Sequence, residues 1–278
     1  MPERRRAKRS PVARRRMRRP APRARLLAVD VGNTETVVGL MEGREVRRMW
    51  RLSSGRPTAD EVALQLRELL RDEAAVGRAA PLHPVLSSVV PALTMNWGVA
   101  LARHTGRAVL EVGAATAKSL RIRYHDPTSV GADRIANAVA ARGLYGTPAI
   151  VVDLGTSTNF DCISREGDYL GGALAPGVAT SAEELFRRAA RIPRVELRRP
   201  AHAIGRTTAE AVQSGVVWGA AGLVDALVRR LALEMKGTPH VIATGGIARL
   251  IAPECETINV VDEALTLKGL ALVWEENA

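Results

Sequence analysis

The sequence predicts an α/β protein built from two related halves that face each other across a cleft. Three observations carry that expectation. From Leu26 the chain reads strand, glycine turn, strand, Glu-Gly turn, strand, and the same succession recurs from Ala149. The first turns also match in kind: Asp30-Val31-Gly32-Asn33-Thr34 is repeated as Asp153-Leu154-Gly155-Thr156-Ser157, 123 residues further on. Each copy ends a β-branched strand on a carboxylate and follows it with a Gly-polar-hydroxyl turn, which is the mark of a duplicated domain and not of a solenoid.

The elements follow in order. LLAVDVGNTETVVGLMEGREVRRMWRL gives three short strands, with turns at Gly32-Asn33 and Glu42-Gly43. Thr58 and Glu61 have capping-box spacing ahead of Val62, Leu66 and Leu69, so a helix is expected there. A strand over 83–90 and a helix over 92–105 come next, and Gly131 to Arg134 open an alanine-rich helix. In the second half, Ser181 with Glu184 and Thr207 with Glu210 repeat the capping-box spacing, the latter before a long helix to about 235. A late buried strand over 241–246 and a closing helix over 266–274 complete the reading. The expected divisions are a tail over 1–25, a first half over 26–145 and a second over 146–278.

The net charge of +11 resembles a nucleic-acid signal until it is located. Residues 1–25 hold 12 of the 40 Lys and Arg and one of the 29 acids, so the rest of the chain is formally neutral. With four prolines and little apolar surface, that segment is expected to be disordered, either a solvated extension or the product of an early start codon, with Met17 as another start. It has no apolar core for a secretory signal. Salt-sensitive contact with RNA is open to it, but no specific nucleic-acid partner is expected.

The two cysteines, Cys162 and Cys255, are isolated and fit a reducing cytoplasm. The five histidines show no ligand spacing. No run reaches the roughly 18 apolar residues of a membrane span. The longest candidate, 216–228, is interrupted by Asp225 and is expected to be a buried helix. Residues 220–231 are apolar enough for either a core helix or a dimer interface.

The paired turns suit a nucleoside triphosphate. Phosphate oxygens need backbone N–H groups at close range, which Gly32 and Gly155 permit, while Asn33, Thr34, Thr156 and Ser157 add donors. Asp30 at a strand end can hold hydrated Mg²⁺. Thr244-Gly245-Gly246 supplies a third glycine turn, and a P-loop is absent from the sequence. Asp133 and Arg134 fall in the first turn of their helix. Asp133 there either complements the helix dipole or accepts a proton from an alcohol, and Arg134 has the planar fork suited to a carboxylate.

These motifs (DVGNT, GADR at Gly131, D-x-GT, GGALAPG at Gly171, GRTT to QSG over 205–215, and TGG) follow one another as in type III pantothenate kinases, a family that includes Bvg accessory factors. The resemblance spans about 26–277. It implies the duplicated ribonuclease-H-like fold of the acetate and sugar kinase, Hsp70 and actin superfamily, in a cytoplasmic homodimer that phosphorylates pantothenate near its interface. Asp133 would be the proton acceptor, and Gly131, Ala132, Asp133 and Arg134 would line the pantothenate site with Tyr124 and Thr208. Asp30, Val31, Gly32, Asn33, Thr34, Glu35, Thr36, Val37 and Thr156 would bind ATP. Asp153 would hold a potassium or ammonium ion beside the Mg²⁺ at Asp30. Asn159 stands where the family usually has a hydroxyl residue. The alternatives are another small-molecule kinase of the superfamily and a non-catalytic regulator.

Overall fold

The computed structural model describes residues 24–75 and 81–278. The expectations for the basic tail therefore lie outside the described residues up to 23, while Arg25 is already the first residue of a strand.

The first half runs β1 (Arg25–Val31), β2 (Glu35–Glu42), β3 (Glu45–Ser53), α1 (Ala59–Leu69), α2 (Arg71–Ala75), β4 (Leu82–Ser88), α3 (Pro91–Thr105) and β5 (Leu110–Glu111). A linking helix, α4 (Ala132–Ala140), leads to β6 (Ala149–Leu154), β7 (Ser157–Ile163), β8 (Tyr169–Pro176), α5 (Val178–Arg188) and α6 (Thr208–Glu234). Then come β9 (His240–Thr244), α7 (Ala248–Ile251), β10 (Val260–Val261) and α8 (Leu265–Glu275).

The duplication is visible in the pairing. One sheet has the order β3-β2-β1-β4-β5 and the other β10-β9-β6-β7-β8. β1 is antiparallel to β2 and parallel to β4, and β6 is antiparallel to β7 and parallel to β9. Both central strands are buried on both faces and alternate between two cores. Leu26 and Ala28 face the same inner core as Ala149 and Val151, whereas Leu27, Val29 and Val31 face an outer core with α1 and α3. Ile150, Val152 and Leu154 face a second outer core with α6 and α7.

The inner core is filled by α4 and α8, which lie between the sheets and cross closely. A Cβ at Gly269 would sit 2.0 Å from the carbonyl oxygen of Ala136, so only glycine lets the two helices approach this far. α8, the closing helix expected in the second half, thus packs on the first half's β1 and β4.

Side-chain capping fixes the starts of α1 and α6. Thr58 and Glu61 form the full capping box of α1, and Thr207 accepts from the Glu210 N–H at the start of α6. The Ser181–Glu184 spacing does not mark a helix start. α5 begins at Val178 with Gly177 as its N-cap, and Ser181 lies inside it, its N–H donating to the Gly177 carbonyl. A Cβ at Gly177 would lie 2.2 Å from the Thr156 carbonyl oxygen, so the close approach to the second glycine turn fixes that start.

α6 is long and apolar enough, at a mean hydropathy of 1.4, to cross a membrane by length and composition. Val217, Val224 and Val228 pack into the outer core instead, and the Asp225 carboxylate accepts from the Glu256 and Thr257 N–H groups and the Thr257 hydroxyl.

Candidate active site

Both glycine turns open onto one cleft, lined by Asp30, Gly32, Asn33 and Glu35 from the first half and Asp153, Gly155, Thr156 and Asn159 from the second. Gly32 N–H donates to the Glu35 carbonyl at 3.0 Å, and Gly155 N–H to the Ser157 carbonyl at 3.0 Å, so each glycine closes its own turn, the second turn being one residue tighter. Ser54 braces the first, its hydroxyl donating to the Gly32 carbonyl at 2.6 Å. The turns also meet: the Thr156 hydroxyl donates to Thr34 Oγ1 at 3.0 Å, across the gap between halves. Gly245, at φ 96°, closes the floor, where a Cβ would lie 2.7 Å from Asp153 Oδ1.

Asp133 enters this cleft from the first turn of α4. Its Oδ1 accepts from the Arg134 N–H at 2.8 Å. One turn later, buried Asn137 donates to Asp153 Oδ2 at 3.1 Å and accepts from the Thr266 hydroxyl at 2.8 Å, tying α4 and α8 to the second turn. Arg134 points away from the cleft lining. Its Nε donates to Asp161 Oδ1 at 2.7 Å, and its guanidinium lies over the Tyr169 ring, 5.8 Å from the centroid. Tyr124 stacks obliquely on Tyr169, with ring centroids 6.3 Å apart.

Of the predicted residues, Asp30, Gly32, Asn33, Glu35, Val37, Asp133, Asp153 and Thr156 line the cleft. Val31 and Thr36 are fully buried beneath it. Tyr124 and Arg134 form an adjoining patch beyond Gly131 and Ala132. Thr208 is exposed at the first position of α6, outside the lining. The sequence reading did not single out Asn137, Asp161, Thr266 or Arg51. The acidic Asp161 set between Phe160 and Cys162 on an expected strand was the signal available for it.

Burial raises the Asp30 carboxyl to about 7, with the charges of Asp133 and Asp153 adding to the rise and Ser87 offsetting part of it. Burial likewise raises Asp153 to about 7, helped by Asp133 and Asp161 and opposed by Asn137 and Arg51. Asp133 is also raised, mainly by burial, against the pull of Arg134. Asp30 Oδ1 is buried without a hydrogen-bond partner. Crowded oxygen donors with an unpartnered lone pair suit hard cations. Among the described residues no three acids, histidines or cysteines form a closed metal cage, so phosphate oxygens would have to complete the coordination.

These shifts give a stability prediction. Between about pH 4 and pH 7 the folded state binds more protons at Asp30 and Asp153 than the unfolded chain does, so stability in cation-free buffer falls as pH rises across that window. The melting temperature of Asp153→Asn is expected to fall less than that of wild type between about pH 5 and pH 8. Parallel curves would refute the shift at Asp153.

Comparison with known proteins gives a consistent result. The sequence model of the type III pantothenate kinase family matches residues 26–230. The type III pantothenate kinase of Moorella thermoacetica is 46% identical over 253 residues, covering 91% of this chain and 99% of that one. That of Geobacter sulfurreducens is 45% identical with the same coverage, 91% and 99%. Among solved structures, a putative Baf family transcriptional activator from Campylobacter jejuni aligns over 90% of this chain and 98% of its own, with a TM-score of 0.56 at 18% identity. A ROK hexokinase from Thermus thermophilus aligns over 91% of this chain and all of its own (100%), with a TM-score of 0.52 at 16% identity. These two likenesses establish the fold, a sugar-kinase-like pair of mixed sheets.

Proposed function

Because the chain belongs to the type III pantothenate kinase family, and so phosphorylates pantothenate with ATP to give 4′-phosphopantothenate at the start of coenzyme A synthesis, we propose that Asp133 is its proton acceptor. The observation that carries this reading is the convergence of Asp133 with both glycine turns on one cleft. The Gly32 and Gly155 N–H groups close their own turns, so the other turn N–H groups, with the side chains of Asn33, Thr34 and Thr156, would be the donors to a triphosphate. Asp30 would hold Mg²⁺ through water and Asp153 a potassium or ammonium ion, and when bound these cations would offset phosphate charge.

The chain's own residues do the rest. The pantothenate hydroxyl oxygen forms a bond to the γ-phosphorus while the bond to the β,γ-bridging oxygen breaks, releasing ADP. The hydroxyl proton passes to an Asp133 carboxylate oxygen, and the raised affinity of Asp133 for a proton favours that transfer. Asn137 fixes Asp153 relative to α4, so the phosphate turn and the base share one support. Arg134 and Tyr124, with Gly131 and Ala132, would position the acceptor and its carboxylate.

The enzyme is read as a cytoplasmic homodimer. Leu174 on β8 and Ile204 before α6 are apolar side chains 68% and 83% exposed, surfaces that association would cover. Both cysteines are free thiols, in keeping with the cytoplasm.

ATP consumption measured with pantothenate, N-acetylglucosamine and acetate, in potassium and then sodium buffer, tests the reading. Turnover is expected with pantothenate alone and is expected to collapse when sodium replaces potassium. Equal rates in both buffers would remove the monovalent cation from Asp153, and turnover with a sugar instead would remove the substrate assignment.

A further inference from the structure

Among the described residues, five carboxylates line the cleft (Asp30, Glu35, Asp133, Asp153 and Glu263) against one guanidinium, that of Arg51. A polyphosphate entering such a cleft meets mostly like charge, so the one cationic side chain among the described lining residues has a role to account for. Arg51 lies on β3, opposite Val37, and its Nη1 pairs with the carboxylate of Glu35. It also reaches the other half: Nη1 would be 3.9 Å from a Cβ on Gly246, and its charge is felt at Asp153. Its side chain is 31% exposed, so it is not locked into a core.

We propose that Arg51 is a ligand for the polyphosphate of ATP, held over the cleft by Glu35 until the nucleotide arrives and then shared with the phosphoryl oxygens. This rests on the reading of the cleft as the ATP site. It also revises the part played by Glu35. A carboxylate would be repelled by phosphate, so Glu35 serves ATP binding by aiming Arg51, not by touching the nucleotide. The bland alternative is a cross-strand strut between β2 and β3, a partly exposed ion pair that contributes little to stability. Glu35 Oε2 would be 4.0 Å from the same Gly246 Cβ, so the pair as a whole faces the other half; what a strut does not account for is a guanidinium set among the acids of the described cleft lining.

The test compares ATP and AMP binding by calorimetry, with steady-state kinetics, on the full chain carrying Arg51→Met or Arg51→Lys. Arg51→Met is expected to weaken ATP binding and raise its KM about tenfold or more, because a charge-assisted, two-pronged contact is lost. AMP affinity and the KM for pantothenate are expected to stay at wild-type values. Arg51→Lys is expected to recover part of the loss, since it keeps the charge but not the fork. Wild-type ATP affinity in Arg51→Met, or equal loss of ATP and AMP with a lowered melting temperature, would leave only the strut and overturn the proposal. Should Arg51→Met fail to fold, Arg51→Lys decides: a raised KM for ATP alone supports the proposal, and an unchanged one overturns it. Failure of the underlying reading looks different, because wild type itself would then neither bind ATP nor turn over pantothenate.

Discussion

Asp133→Asn is expected to bind nucleotide as wild type does and to lose turnover about 10²–10⁴-fold, the usual contribution of a positioned general base. Asn keeps the shape of Asp133 and can still accept from the Arg134 N–H, so the start of α4 should survive. What it removes is the place for the alcohol's proton. The measurement is kcat beside the dissociation constant of a non-hydrolysable ATP analogue. A variant retaining more than about a tenth of the wild-type rate, a barrier difference of only ~1.4 kcal/mol, would show that Asp133 merely complements the helix dipole.

Gly269→Ala is expected to be severely damaging although the residue touches no ligand. The added methyl would meet the Ala136 carbonyl at 2.0 Å, a backbone contact that cannot swing aside. α4 and α8 must separate, at a cost of about 1–3 kcal/mol or more. Asp133 and Asn137 ride on α4 and Thr266 on α8, so kcat should fall together with the melting temperature. Gly98→Ala in α3 is the control: a Cβ there meets only Glu111 Oε1 at 3.9 Å, and better helix propensity should raise stability slightly. If both alanines behave alike in thermal melts, close packing at Gly269 is not what holds the inner layer together.

The features legible in the sequence were those written locally. The β-branched strand runs, the two Asp-x-Gly turns, the Thr58 capping box and the place of Asp133 in a first turn are patterns within a few residues, and the structure reproduces each. The features not legible depend on residues far apart in the chain. Asn137 acquires its role from Asp153 and Thr266, the latter 129 residues away, and Arg134 from Asp161, 27 residues away. The start of α5 was misread for the same reason: Ser181 and Glu184 have the right spacing, but the Thr156 carbonyl demands a glycine at 177 and the helix begins there. Asp161 is completely buried, yet its partners Arg134 and Tyr169 come from α4 and β8, so nothing adjacent to it in sequence announces them.

The position of α8 in the chain has a consequence for how the enzyme comes into being. It is the last of the described elements to leave the ribosome, yet it wedges between sheets whose strands were made long before, and it brings Thr266 to Asn137. A nascent chain stopped before residue 265 would own every strand and both glycine bends but not the spacer that sets their separation. Catalytic competence therefore waits on residues 265–275, and a product interrupted before them is left with an unfilled apolar seam for chaperones and proteases to recognise.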